Sequence, residues 1–299
     1  MKNANVANFL WVGTQLSLYE KKCIESFIAN GFIVNVYAYE PLDIPEGANL
    51  LDGRAILPES EVYAYTQGGK KGSPASFANV FRYQLLKLRA GWWFDADIFC
   101  LKNVKDWIAL AETRTGSVVI GWEDGVRVNN AVLLSDNADF DACVQKHVKD
   151  VGKIVAWGQL GPKLITKVIK ELKMEDAMLS DDHFYPIHYN EFEKMLDPAE
   201  SERCANKASN SYCVHLWNEF INRYAIPKNL PPPNNSFLFK LFSMHGALNS
   251  DIALPFATCK ALCESSMLPE LKAYQENIES MPIVKFYRAL KRYARKLLK

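Results

Sequence analysis

Two carboxylates separated by a single residue, Asp95 and Asp97, interrupt the apolar run Trp92-Trp93-Phe94-Asp95-Ala96-Asp97-Ile98. On a strand, residues two apart point to the same face, about 7 Å from one another. Like charges beside an apolar strand are costly unless a cation sits between them or a ligand donates to them. A hard divalent ion, Mg²⁺ or Mn²⁺, meets that need and completes its shell with phosphate oxygens and water. The plainer alternative is a strand end whose acids cap a neighbouring helix or pair with Arg82. Asn79 and Arg82 lie three apart ahead of the acids, hence side by side on a helix surface. The guanidinium offers a fork for carboxylate or phosphate, and the amide can bind a hydroxyl. Together they outline a pocket for a phosphorylated, hydroxyl-rich ligand.

The elements that must position these groups alternate between strand and helix patterns. Asn8 to Gly13 predicts a buried strand, and Ser17 opens a helix with a capping box closed by Glu20. Phe32 to Tyr39 is β-branched and aromatic, a second strand. A loop rich in Pro, Gly and Asp then leads to a short apolar stretch at 55–57. A Gly-rich segment with Lys70 and Lys71 lacks the spacing of a phosphate-binding loop. Phe77, Val80, Phe81, Leu85 and Leu88 make one helical stripe ending before Gly91, and Trp92 to Ile98 predicts a buried strand. Further strands are expected at 117–122, 131–134 and 212–217, and a helix beginning at Pro162. Such alternation implies an α/β fold: a Rossmann-like, mostly parallel sheet flanked by helices, with ligands at the carboxyl ends of its strands.

Composition narrows the function classes. The chain has 299 residues, 49% hydrophobic and 23% charged, which excludes a disordered chain. Lys plus Arg number 35 against 34 Asp plus Glu, a balance that argues against a dedicated nucleic-acid binder. Seven cysteines without paired CxxC motifs read as buried free thiols in a reducing compartment. The apolar run from Phe9 to Val12 is too short for a signal peptide, and nowhere do roughly 18 uncharged apolar residues run together. A cytoplasmic protein is the expectation.

The run Ser76-x-x-Asn79-x-x-Arg82-Tyr83-x-Leu85-Leu86, followed by Gly91-Trp92-Trp93-x-Asp95-x-Asp97, resembles the DXD-containing sugar-transferase family. Its relatives include α-1,4-galactosyltransferases, yeast initiating mannosyltransferases and bacterial capsule or O-antigen transferases. Asn79 stands where the family usually has Asp, and Trp92-Trp93-Phe94 replaces a Gly-x-Tyr pattern. Further matches are Trp11 as the stacking residue for a nucleotide base, Asn129-Asn130-Ala131, Gly161-Pro162, and Val214-His215-Leu216-Trp217 as the segment closing a metal and diphosphate site. The resemblance spans about residues 8 to 220. It implies a GT-A fold over residues 1–250 with a helical extension over 251–299, and a retaining, metal-dependent glycosyltransferase. The expected donor is a UDP-hexose; the expected acceptor is a glycan or lipid-linked saccharide of surface polysaccharide synthesis.

By the same resemblance, Asp97 is the surer ligand for Mn²⁺ or Mg²⁺, Asp95 is shared between metal and donor, and His215 completes the metal set. Arg82 and His215 offset charge on the leaving diphosphate. Trp11, Asn79, Tyr83, Asn130 and Trp217 line the donor site, and Trp157 and Gln159 stand as candidates for the sugar or acceptor pocket. Asp181, Asp182 and His183 read as a solvated turn. Two rivals remain open: a degenerate, non-catalytic glycan-binding transferase, and an aspartate-nucleophile phosphotransferase. From Ile283 onward, an apolar stripe faces seven cations with no acid among them. That pattern predicts a helix docking on an anionic membrane face, here the inner face of the plasma membrane.

Overall fold

The computed structural model describes residues 1–63, 73–114, 116–151 and 159–265. Trp157, the lysine pair at 70–71 and the basic segment from Ile283 lie outside the described residues. In chain order the elements are β1 (Val6–Trp11), α1 (Leu18–Ala29), β2 (Ile33–Ala38), β3 (Ala48–Asp52), α2 (Ala75–Lys87), β4 (Trp92–Phe94), β5 (Ile98–Cys100), α3 (Val104–Glu112), β6 (Val118–Trp122) and β7 (Val128–Ser135). They continue with α4 (Ala138–Val151), α5 (Pro162–Glu171), α6 (Asp181–Phe184), α7 (Ser201–Ala208), β8 (Cys213–His215), α8 (Asn218–Arg223) and α9 (Phe237–Ser243).

Six strands form one sheet in the order β3-β2-β1-β4-β7-β6. The first four are mutually parallel; β7 runs against β4, and β6 against β7, so β6 points the same way as the parallel set. The chain leaves β1 toward β2 and β3, then returns to place β4 on the other side of β1. The crevice at the carboxyl ends of β1 and β4 is therefore the switch point where such sheets bind ligands. Side chains alternate across β4. Trp92 and Phe94 pack with Phe9, Phe27 of α1 and Trp107 of α3. Trp93 enters the opposite core, with Phe77 and Phe81 of α2, Phe140 of α4 and Ile165 of α5. The result is a GT-A-like α/β arrangement, helices on both faces of a mostly parallel sheet, as the sequence pattern implied.

Local chemistry explains the boundaries. Ser17 caps α1 through its side chain, and Glu20 returns to the Ser17 backbone N–H at 2.9 Å, the expected capping box. Gly91 precedes β4 at φ +114, and a Cβ there would stand 2.7 Å from the Val6 carbonyl oxygen. Only glycine lets β4 approach β1 at that turn. Where the sequence pattern predicts a loop the structure has strand β3, a sheet edge whose side chains are mostly exposed and so carry no apolar alternation. Leu254, Cys259 and Cys263 pack into the same core as α1 and α3. All seven cysteines are free, and Cys143 alone is not fully buried.

The run from Trp92 to Ile98 departs most from expectation. The strand stops at Phe94, and the Ile98 N–H donates to the Asp95 carbonyl at 3.0 Å, closing a turn over Asp95–Asp97. The chain then resumes as β5, which leaves the main sheet and pairs antiparallel with β8. The same-face placement expected for the two acids is thus corrected. In a turn they diverge, which relieves the repulsion that a shared strand face would impose.

Candidate functional site

Each arm of the turn has its own partners. The Asp95 N–H donates to the Ala131 carbonyl of β7 at 2.9 Å, anchoring the turn to the sheet edge. The Asp95 carboxylate accepts from Arg82 Nη2 at 2.5 Å and from Trp93 Nε1 at 2.7 Å. Arg82, from α2, is 3% exposed; its other arm donates to the Asn130 carbonyl, and it lies over the Trp93 ring at 4.8 Å. Pairing with Arg82 was the plainer alternative raised by the sequence, and for Asp95 it holds. Burial pushes the Asp95 carboxyl above its ordinary value; Arg82 opposes that and Asp97 adds to it.

Asp97 turns the other way. Its carboxylate accepts from the Asn218 backbone N–H at 2.8 Å and lies 3.1 Å from His215 Nε2. The β5–β8 ladder sets this geometry: Ile98 stands opposite His215, and the Leu216 N–H donates to the Asp97 carbonyl at 2.9 Å. Burial disfavours the charged form of Asp97, yet His215 and the Asn218 N–H outweigh it and hold the carboxyl below its ordinary range. Burial likewise lowers His215, but the negative fields of Asp97, Asp95 and Glu123 outweigh it and raise the imidazole. His215 Nδ1 is buried without a hydrogen-bond partner among the described residues.

Asn218 ties this arm to the start of α1. Its side-chain amide donates to Glu20 at 2.6 Å, and Lys228 pairs with the same carboxylate at 2.5 Å. The preceding residue, Trp217, adopts φ 58 and donates its indole N–H to the Ile187 carbonyl at 2.8 Å. A left-handed Trp is strained, and such strain persists only where surroundings over-determine it. The sequence reading placed Glu20 in a capping box alone and missed Asn218, whose contact with Asp97 is made by a backbone group.

Beside the turn lies a cluster of neutral donors and acceptors. Asn130 donates to the Asn79 side chain at 2.9 Å and to the Tyr83 hydroxyl at 2.8 Å, and that hydroxyl donates to the Leu160 carbonyl at 2.7 Å. Gly161 packs against this cluster: a Cβ on it would stand 3.3 Å from Asn79 Nδ2. Pro162 occupies the first turn of α5, as read from the sequence. Gln159 sits half-buried just ahead of Leu160 and Gly161. Trp11 ends β1 at the switch point, half-buried, with its indole N–H unpartnered among the described residues.

The structure thus brings Arg82, Asp95 and Asn130 together, and Asp97 with His215, Trp217 and Asn218. It does not converge Asp95, Asp97 and His215 on one point. The two trios of cysteine, histidine or acid side chains whose ligand atoms lie within 4.8 Å of each other, among the described residues, are elsewhere. The donor set still fits a divalent ion. One carboxylate oxygen and one imidazole nitrogen, both buried and 3.1 Å apart, offer two protein ligands, and such ions take their remaining ligands from substrate phosphates and water.

The site is thus a divided acidic turn, an arginine fork and an amide cluster at the carboxyl end of β4 in a mostly parallel α/β sheet. Comparison with known proteins narrows the class. A family model described as "Alpha 1,4-glycosyltransferase conserved region" matches residues 143–245, a span that includes Gly161, His215 and Trp217 and leaves Asp95 and Asp97 outside. Human lactosylceramide 4-alpha-galactosyltransferase is 25% identical over 177 residues, covering 54% of this chain and 47% of that protein. The mouse protein of the same name is 28% identical over 155 residues, covering 48% and 40%. The chain spans about half the length of these curated relatives. Among solved structures, mouse xyloside xylosyltransferase 1 in its apo form aligns over 84% of each chain with 9% identity and a TM-score of 0.26. The resemblance read from the motifs is therefore to the same family that the sequence comparisons return, the α-1,4-glycosyltransferases.

Proposed function

We propose that this protein is a metal-dependent glycosyltransferase that moves a hexose from a nucleotide sugar to a saccharide acceptor with retention of anomeric configuration. The observation that carries this reading is the divided turn: Asp95 held by Arg82, Asp97 facing His215, both at the ligand-binding edge of the sheet. Asp97 and His215 would hold Mn²⁺ or Mg²⁺, which when bound offsets the charge growing on a leaving diphosphate. Arg82 fixes Asp95, leaving that carboxyl's outer face for a donor hydroxyl. The Asn79–Asn130–Tyr83 cluster presents amide and hydroxyl groups to sugar hydroxyls, and Trp11 offers an indole face to the base. The name of the relatives, lactosylceramide 4-alpha-galactosyltransferase, favours galactose as the hexose and a glycolipid or glycan acceptor, and the motif resemblance favours a UDP donor and surface polysaccharide synthesis. The cation-rich segment after Ile283 supports docking on an anionic membrane, where a lipid-linked acceptor would be met. Deleting residues after Pro282 is expected to abolish sedimentation with anionic vesicles and spare donor cleavage.

The test is a panel of nucleotide sugars incubated with full-length protein, with and without EDTA. Mn²⁺-dependent release of nucleoside diphosphate from at least one donor is expected. Glycan binding without turnover of any donor would identify a degenerate module instead, and an aspartyl-phosphate found by mass spectrometry would identify a phosphotransferase.

A further inference from the structure

We propose that Cys143, His147 and Glu171 form a zinc site, apart from the sheet-edge pocket, that clips α5 to α4. Cys143 and His147 are four apart on α4 and so share one helical face. Glu171 closes α5, which packs beside α4. The three candidate ligand atoms all lie within 4.8 Å of one another. His147 Nε2 stands 2.8 Å from Glu171 Oε2, and the Cys143 sulfur lies within 4.8 Å of both groups. A sulfur and an imidazole nitrogen thus converge on a single carboxylate.

A divalent ion among these atoms takes the place of the thiol proton and of any proton on Nε2. The thiol proton leaves to solvent, while the imidazole stays neutral by carrying its proton on Nδ1 instead. Sulfur, imidazole nitrogen and carboxylate oxygen, with water as a fourth ligand, are the donor set of zinc. The other trio among the described residues, Glu123, Asp124 and His188, makes the contrast. There Arg127 spans both acids, at 2.6 and 3.2 Å, and already fills the place of a cation.

At the proposed site the opposing charge is a lysine on a flexible stem. Lys167 Nζ sits 3.5 Å from His147 Nδ1, the nitrogen that must carry the proton once metal binds, so Lys167 has to swing away. Lys146 adds a second positive field at Cys143. The consequence reaches the donor side, because Gly161, the residue that caps the start of α5, lies against Asn79 and Asn130. An ion fixing the far end of α5 to α4 steadies the helix that backs the amide cluster.

The experiment uses full-length, metal-stripped protein with excess Mg²⁺ to occupy any hard-ligand site. Co²⁺ is expected to give the near-ultraviolet charge-transfer band of a cobalt thiolate, which Zn²⁺ bleaches at one ion per chain. Asp97 and His215 include no sulfur, so the band is independent of the outcome for glycosyl transfer, and its loss in Cys143→Ser assigns it to Cys143 among the seven free thiols. Cys143→Ser should abolish the band and weaken Zn²⁺ binding by at least about tenfold, with His147→Ala doing the same. Lys167→Gln should strengthen binding, an effect opposite in sign to losing a structural ion pair. Zn²⁺ should raise the melting temperature of the wild type and leave that of Cys143→Ser unchanged. Absence of the band, its survival in Cys143→Ser, or zinc affinity indifferent to His147→Ala would each overturn the proposal.

Discussion

Asp95 faces a guanidinium and an indole N–H, whereas Asp97, across one residue, faces an imidazole and a backbone N–H. The Arg82 arm is a permanent charge pair: guanidinium never deprotonates in proteins and, at 3% exposure, Arg82 has no other place for its charge. The His215 arm is exchangeable, because imidazole can give up its proton and offer the same nitrogen to a metal. Desolvation pushes both acids up, so the net lowering of Asp97 comes from its partners, His215 and the Asn218 N–H. On the proposed function, one arm stays in place and the other opens to a metal. This division of labour is what substitutions should separate.

The largest expected effect is on turnover. Asp97→Asn keeps the shape and the Asn218 contact while removing the charge, and donor cleavage at saturating Mn²⁺ should fall by more than about 100-fold, given that even outer-shell changes cost about 10–100-fold. Circular dichroism should show the fold retained. Next comes stability. Arg82→Ala leaves the part-buried Asp95 carboxylate and the buried Asn130 carbonyl without their donor, and should cost about 1–3 kcal/mol in urea unfolding. Arg82→Lys should not restore it, since one ammonium cannot span both partners. Equal losses from Arg82→Ala and His215→Ala would break the distinction between the arms. A smaller effect is expected at the base: Trp11→Ala should weaken UDP binding by about 1–3 kcal/mol, read by calorimetry. A collapse in melting temperature with UDP affinity intact would make Trp11 a core residue.

The smallest effect sharpens the comparison by sign. His215 titrates above its ordinary 6.5 when folded, so its contribution is complete below that value and fades as pH rises through the folded pKa. Asp97 lies below its ordinary 3.8, so its contribution is present above that value and fades as pH falls. Asp95 is raised, so its contribution runs the other way, growing with protonation and lost as pH rises. Metal-free protein in EDTA should show the Asp97–His215 contribution greatest between about pH 4 and 6.5. Asp97→Asn should flatten that maximum, and Asp95→Asn should leave it in place.

Much of this frame was legible because it is local. The Ser17–Glu20 box, the stripe of α2 and the Gly161–Pro162 start each depend on residues within one turn of one another. Arg82 as a partner for the acids was legible too, from helical spacing. The break at Phe94 was not, because Trp92 to Cys100 reads as one apolar run around two acids. Which sheet each half joins is decided by β8, more than a hundred residues on, through the Ile98–His215 pairing. The Asn218 contact left no trace in side-chain pattern, since a backbone N–H makes it. The edge strand β3 escaped because an exposed strand needs no alternation.

Mn²⁺ binding tests the division most directly, measured by electron paramagnetic resonance on metal-stripped full-length protein in the presence of UDP. The wild type is expected to bind one ion per chain, with Asp97→Asn and His215→Ala each weakening that binding by at least about tenfold and Asp95→Asn weakening it less. If Asp97→Asn and His215→Ala bind Mn²⁺ as tightly as the wild type, the Asp97–His215 arm is not where the metal sits.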